Sequence, residues 1–555
     1  MKYAKVSILF LLVASVPLTV FLVHRQQDLR QRASITSPNK SVPTAAGVGI
    51  PNIAPPADYT QDVEVWWKTH PFNPESPNFV PIGQITSPGP IKDVSPGTDL
   101  TQAVNSLPPQ GGTLRLAPGV YKPFRIIGRS NVHIISESGQ AQVRGVNIFN
   151  CPMAEDYTQF VGCLVKDGSR CSSPQMQQEA WQCFTNPAKN IYFKNIMFDG
   201  GGTEYYAVSL SAVRGVVFDN ATFQNYLVPL DHPHPGSLSG SAGVDEVWCR
   251  RCKFMGTQRY AAYLDGGRGM GFIDSEFYFW DTINNESKAV GGLLMYNNDD
   301  VTVDENQNGI YEQSELRYPQ YTIIVNNVFK NGPMRQGIVY HGRDALIKNN
   351  TIDVAPTVDS ERFLNMGGIC AYSNIGKNIV YRSYNNKVIG NRANYLNQEF
   401  VLVAANQADE YTCNLEVKFP PELQYRIGKY TVKDNTIGDL NGQPVVRTLG
   451  IPDGPNIVEN NCVNGKLDGT NQPCSMSTPT PTPIATPTPP SQQIPEDIDR
   501  DGCVGILDFN TWFQAIKGIL RPNTFPDVNK DGIVDILDFN LWFRAMINLP
   551  PEKLC

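Results

Sequence analysis

Apolar positions in the middle of the chain come in short runs broken by asparagine or glycine, without the 3.6-residue rhythm of long amphipathic helices. An eight-residue pattern stands out: Ile191-Tyr-Phe-Lys-Asn195-Ile-Met-Phe198, followed by Val216-Val-Phe-Asp-Asn220-Ala-Thr-Phe223. It returns as Thr322-Ile-Ile-Val-Asn326-Asn-Val-Phe329, Ala345-Leu-Ile-Lys-Asn349-Asn-Thr-Ile352 and Asn456-Ile-Val-Glu-Asn460-Asn-Cys-Val463, with looser copies ending at Phe254, Phe277 and Ile437. The third and eighth positions are apolar in most copies, and the fifth is Asn or Asp. Neighbouring eighth positions lie 23–31 residues apart, and the two longer gaps (277 to 329, 352 to 437) have room for extra coils and insertions. Such a period predicts a solenoid of stacked β-coils. Leucine-rich repeats share the period but need a Leu-x-Leu scaffold, which is absent, and unrelated sandwich strands would not keep this register. Asn at a repeated turn tolerates left-handed backbone angles and can bond its neighbour in the next coil, so a ladder is expected.

The run from Gly97 through Leu100-Thr-Gln-Ala-Val-Asn-Ser-Leu107 to Gly111-Gly-Thr-Leu-Arg-Leu-Ala-Pro-Gly-Val-Tyr121 resembles the entry to the pectate-lyase-like right-handed parallel β-helix superfamily, over about residues 95–470. The resemblance implies an all-β solenoid whose open end is capped by a short helix, here about Leu100–Leu107, because an uncapped end exposes strand edges and interior. Composition agrees: charged residues are only 18% of the 555, hydrophobic residues 41%, and Gly and Pro number 46 and 43. The formal net charge of −7 argues against a general nucleic-acid binder.

Lys2 and Lys5 precede an apolar run from Val6 to Val23, longer than a cleaved signal core and lacking a small-x-small cleavage site. Residues 1–33 therefore read as an uncleaved membrane anchor in preference to a removed signal peptide, with 34–58 as a stalk. Twelve cysteines fit an exported, disulfide-bonded protein at the cell surface or secreted from it. Cys151, Cys163, Cys171 and Cys183 mark a stapled insertion, and Cys249-x-x-Cys252 lacks the second pair a zinc site needs.

A Thr-Pro tract at 475–494 separates the β-helix domain, 59–474, from a small module at 495–555. There Asp497-Ile-Asp499-Arg-Asp501-Gly502-Cys503-Val-Gly505-Ile506-Leu507-Asp508 recurs as Asp527-Val-Asn529-Lys-Asp531-Gly532-Ile533-Val-Asp535-Ile536-Leu537-Asp538. Oxygen ligands at loop positions 1, 3, 5 and 12, a main-chain carbonyl at 7 and Gly at 6 suit Ca2+. Gly505 replaces the ninth-position acid in the first loop, so water completes that shell. Each loop runs into an apolar helix, 509–520 and 539–549. The pair resembles a dockerin, an α-helical calcium-folded module, and the resemblance implies a cohesin-domain partner docking at Ile506, Leu507, Ile536 and Leu537. Cys503 and Cys555 are placed to clasp the module's ends. A third loop of the same chemistry, Asp304-Glu-Asn306-Gln-Asn308-Gly309-Ile310-Tyr-Glu312-Gln-Ser-Glu315, falls inside the solenoid and reads as a calcium-stapled insertion.

Catalytic candidates come from strands that precede the Asn repeat. Tyr260-Ala-Ala-Tyr263-Leu-Asp265, Gly291-Gly-Leu-Leu-Met-Tyr296-Asn297, Gly337-Ile-Val-Tyr340-His341 and Gly367-Gly-Ile-Cys-Ala-Tyr372-Ser373 would stack Asp265, Asn297, His341 and Ser373 on one exposed groove, with Arg268 and Arg343 beside it. Asp265 and His341 are the acid/base candidates, Arg343 a charged companion. Asp231, His232 and His234 form a second cluster on a Pro-rich loop. The polygalacturonase pattern of paired aspartates, Gly-His-Gly and Arg-x-Lys is missing, and so is the lyase arginine motif. Two functions stay open: a polysaccharide-processing hydrolase or lyase carried on a cohesin scaffold, or a non-catalytic surface protein whose solenoid binds glycan or acts as a spacer. Trp66 and Trp67 are expected to pack against the capped solenoid end.

Overall fold

The computed structural model describes residues 49–474 apart from 56–61, 165–170, 202–205, 227–237, 242, 258–259, 280–288, 297–318, 331–333, 354–361, 368, 373–377, 382, 405–425, 450, 453 and 471. All of them belong to the first of two units into which the chain divides, Met1–Cys474 and Ser475–Cys555. The N-terminal segment 1–33, the loop 304–315, the Asp231 cluster, Asn297, Ser373 and the whole of 475–555 lie outside the described residues.

Three parallel sheets form the body, and each coil contributes one strand to each. Sheet I has twelve strands from Ile91–Val94 to Ile457–Glu459, sheet II ten from Phe124–Ile127 to Val446–Leu449, and sheet III twelve from Gly119–Tyr121 to Lys466–Leu467. The chain passes from sheet I through a short turn into sheet III, then sheet II, then back to the next strand of sheet I. This is a parallel β-helix. The turning residue is the fifth position of the repeat: Asn195, Asn220, Arg251, Asp274, Asn326, Asn349, Asp434 and Asn460 all take φ between 51° and 59°. Asn220 Nδ2 donates to Asn195 Oδ1 at 2.9 Å and Asn326 Nδ2 to Asp274 Oδ1 at 3.0 Å, so the expected ladder forms.

A second ladder, at the sixth position, is buried and more continuous. Asn327, Asn350, Asn391, Asn435 and Asn461 each send Nδ2 to a carbonyl one coil back, at Phe272, Ile324, Ile347, Val388 and Val432. Each of the first four also donates both its main-chain N–H and its Nδ2 to the Oδ1 of the next. Earlier coils carry Ile196, Ala221, Cys252 and Ser275 there, and the ladder starts where the Ser275 N–H reaches Asn327 Oδ1. The eighth position supplies the core: Phe198, Phe223, Phe254, Phe277 and Phe329 stack at centroid spacings of 5.1, 4.6, 5.0 and 4.8 Å. Phe277 pairs directly with Phe329, so the first long gap holds no extra coil, whereas Ala393 stands between Ile352 and Ile437 and adds one.

The cap helix spans Leu100–Asn105, N-capped by the Asp99 carboxylate, with Leu100, Ala103 and Val104 buried on the interior. The insertion is helical: Tyr157–Leu164 and Pro174–Thr185 are stapled by Cys151–Cys183 and Cys163–Cys171. Cys249 and Cys252 form a disulfide, and Cys462–Cys474 ties down the antiparallel turn-back at the far end of sheet III.

The N-terminal residues depart from expectation. Residues 50–55 and 62–85 lie as a strap over the outer face of sheet I, with the short helix Val63–Thr69 among them. Trp66, Trp67 and Phe72 pack against Tyr192, Val217, Trp248, Ile273 and Ile323, well away from the capped end. Trp66 and Trp67 are therefore core residues of this cover. Lys348 and Lys387 bind Glu75 and Glu64 at 2.7 and 2.5 Å along its rim. Beneath it Arg250 forms a two-pronged pair with Asp219, stacks on Phe72 at 4.1 Å and reaches the Val80 carbonyl. The His70 ring lies flat on Trp248 at 4.2 Å.

Candidate functional site

Alternation within sheet II sends Val208, Leu238, Ala262, Leu293, Ile338 and Leu364 into the core. The residues between them form two outward rows. One runs Ser209, Ser239, Tyr263, Leu294, Val339, Asn365, and the other includes Ser211, Asp265 and His341. The Cα partner of Asp265 is Tyr296, and His341 continues that row one strand on, so Asp265 and His341 are two strands apart, about 9–10 Å. Tyr296 holds the row position beside Asp265, and the strand after that of His341 is Arg362–Gly367, while Ile369–Tyr372 pairs antiparallel with Asn378–Tyr381; the expected members Asn297 and Ser373 lie outside the described residues. Tyr340 points inward, its hydroxyl bonded to Thr322 and to the Arg343 carbonyl.

The face is not an open groove. Asp265 is 1% exposed, Tyr263 and Asn365 3%, and His341 8%. Sheet I also buries its outer face, with Val217, Trp248, Ile323 and the strap's aromatics around a paired Asp219 and Arg250. Sheet II buries an aspartate, a histidine, an asparagine and serines. A buried polar face is costly to keep and is the kind of local inconsistency that marks a functional site. Tyr260, Tyr263 and Val339 supply its apolar contact, and Phe149, in the row of Ser211, packs into the helical insertion with Phe160 and Phe184. The insertion thus forms one wall beside the row.

The two arginines expected beside the row turn away from it. Arg268, three residues after Asp265, places Nη2 2.8 Å from Asp245 Oδ2, with its main-chain N–H on Oδ1 of the same carboxylate. Arg343 donates from Nε to Asp344 at 2.6 Å and lies over the Tyr384 ring. Next to Asp245, burial and then the Asp245 charge push the Glu246 carboxyl up to about 7. Among the described residues no His, Cys, Asp and Glu side chains converge to hold a metal ion, and no helix is long and apolar enough to cross a membrane. Asn365 is the member hardest to see in sequence, because a similar Gly-Gly-Ile run follows it.

No family model and no curated protein matches the chain. Among solved structures, a tailspike protein of E. coli bacteriophage HK620, solved in complex with a pentasaccharide, is 13% identical with a TM-score of 0.39, over 78% of this chain and 72% of that one. PfbA, a surface adhesin of Streptococcus pneumoniae, is 11% identical with a TM-score of 0.32, over 60% and 83%. At that distance the parallel β-helix rests on the chain's own strand pairing.

Proposed function

We propose that the chain is an exported glycan-handling β-helix protein, and that its sheet II face, centred on Asp265 and His341, is where the sugar is held and processed. The observation that carries this reading is the buried polar row itself, set against a sheet I face where the buried Asp219 and Arg250 are paired with each other under aromatic and aliphatic cover. Delivery would come from residues 495–555 as a dockerin, folded by Ca2+ at Asp497, Asp499, Asp501 and Asp508 and at Asp527, Asn529, Asp531, Asp535 and Asp538, and docked on a cohesin-bearing partner. Residues 1–33 would tether or export the chain. A second reading, a non-catalytic spacer or glycan binder, is favoured by the near-complete burial of Asp265.

Turnover on a panel of plant and bacterial polysaccharides separates the two. An acid/base role predicts that Asp265→Asn and His341→Ala each lower kcat by about 10²–10⁴-fold while leaving the melting temperature close to that of the parent. Unchanged turnover in both variants removes the assignment, and absence of turnover on every polymer favours the spacer.

A further inference from the structure

The strap is seated on a histidine that has no place for a second proton. His70 directly follows the helix Val63–Thr69 and is 2% exposed. Its ring stacks on Trp248 at 4.2 Å, tilts against Trp66 at 4.5 Å and meets the Phe72 ring at 5.8 Å. Nδ1 accepts the Phe72 main-chain N–H at 3.1 Å, so the single proton of the neutral ring sits on Nε2, which is buried without a hydrogen-bond partner. A second proton would enter at Nδ1 and set donor against donor. The charges around the ring are committed elsewhere. On sheet I Arg250 and Asp219 pair with each other, with the Tyr192 hydroxyl on the same carboxylate, and what reaches His70 is repulsion from Arg250. His133, another buried histidine of that face, packs on Tyr192 at 5.0 Å. On the strap Glu75 faces Lys348, Glu64 faces Lys387 and Lys68, and Asp62 caps the helix.

The strap is also built to lift. The main-chain N–H groups of Trp66, Asn73, Ser76, Phe79, Val80 and Gln84 all bond to carbonyls within the strap itself. Side chains seat it on the body: its aromatics, the two rim pairs, and Arg250 on the Val80 carbonyl. We propose that the strap is an acid-released latch, in which protonation of His70 lifts residues 62–80 off sheet I while the three sheets of the solenoid stay paired. What lifting uncovers is an apolar strip of Val217, Trp248 and Ile323. It also returns the ring to water, where its ordinary pKa is 6.5. In the seated strap burial lowers it to about 3, the Ile53 carbonyl opposing that shift and Arg250 adding to it. The seated form therefore refuses a proton that the lifted form accepts. The ratio of lifted to seated strap is flat above pH 6.5 and rises about tenfold for each unit below it. Ordinary carboxylates stay ionised down to about pH 5, so a rise of about 30-fold between pH 7.5 and 5 belongs to histidine.

The test is amide hydrogen exchange of the full-length protein, read by mass spectrometry between about pH 7.5 and 5 and corrected for the intrinsic pH dependence of exchange. A seven-residue helix does not persist alone, so lifting exposes the amides of residues 62–80. The expected result is opening of that segment about 30-fold more often at pH 5 than at pH 7.5, with the sheet III strands around Phe223 and Phe254 unchanged. His70→Gln, whose side-chain carbonyl can still accept the Phe72 N–H, should lose the pH dependence, and His133→Gln should keep it. Should His70→Gln leave the strap unseated at pH 7.5, the wild-type series and His133→Gln still decide. A flat wild-type profile overturns the latch. So does an equal rise in the sheet III strands, which would be acid unfolding of the whole body. A slope that a seated His70→Gln retains, or that His133→Gln loses, overturns the assignment to His70.

Discussion

At the residue scale, asparagine does two different jobs in adjacent positions. At the fifth position it tolerates a left-handed turn, a role that Arg251 and Asp274 also fill. At the sixth its amide is fully used: Asn350 accepts from the Asn327 main chain and side chain and donates to the Ile324 carbonyl and to Asn391 Oδ1. Asn350→Ala should therefore strand several buried donors and acceptors and cost about 3 kcal/mol, read as a lower urea midpoint, whereas Asn349→Gly should cost a fraction of that. Titration gives a second residue-level expectation. Burial holds His70 down to about 3 and His133 to about 4, against an ordinary 6.5. The unfolded chain then takes up protons that the fold refuses, so stability falls as pH drops from 6.5 toward these values. Glu246 works in the opposite sense. Its folded pKa lies above the ordinary 4.5, so its contribution is present below pH 4.5 and is lost as pH rises through about 7. His70→Gln should flatten the acid limb of a melting-temperature profile, and Glu246→Gln should raise stability at pH 8 while changing little at pH 4. A Glu246→Gln variant equally destabilised at both pH values would show that the carboxylate is satisfied in the fold.

At the element scale, the strands and turns were largely legible and their outer faces were not. The αL asparagines and the phenylalanine column repeat at fixed offsets, so coil order and register follow from Phe198, Phe223, Phe254 and Phe277 alone. Truncating one member of that column, Phe254→Ala, should cost about 3–5 kcal/mol in equilibrium unfolding, since rings above and below prevent collapse of the cavity. The strap has no repeat and so leaves no periodic mark in the sequence. Yet a signal existed in its partner: Val216-Val-Phe218, Ile323-Ile-Val325 and Leu346-Ile347 are continuous apolar runs, the mark of strands buried on both faces. Sheet II gave the reverse difficulty. Its strand at Arg362–Gly367 precedes a Gly-Gly-Ile run that imitates the neighbouring coils, so the sequence points to the later run and hides Asn365.

At the scale of the whole molecule, the acid-rich loops imply that metal and modular organisation go together. Calcium titration of full-length protein should give three sites, two from 495–555 and one from Asp304, Asn306, Asn308, Glu312 and Glu315 with the Ile310 carbonyl. A stoichiometry of two, with none in a 59–475 fragment, would dispose of the third. The strap sets a different constraint, one of timing. Glu75 and Glu64 meet lysines 273 and 323 residues further along the chain. At about 5–20 residues per second, a ribosome that has released the strap needs roughly 15–60 s to deliver the last of the strands it covers. Until those strands are made Trp66, Trp67 and Phe72 have only part of their seat, Tyr192, Val217 and Trp248 arriving before Ile273 and Ile323. The strap is thus made before every strand it covers, and it should be replaceable: a synthetic peptide of residues 49–90, added to coils lacking their own, would be expected to complete them.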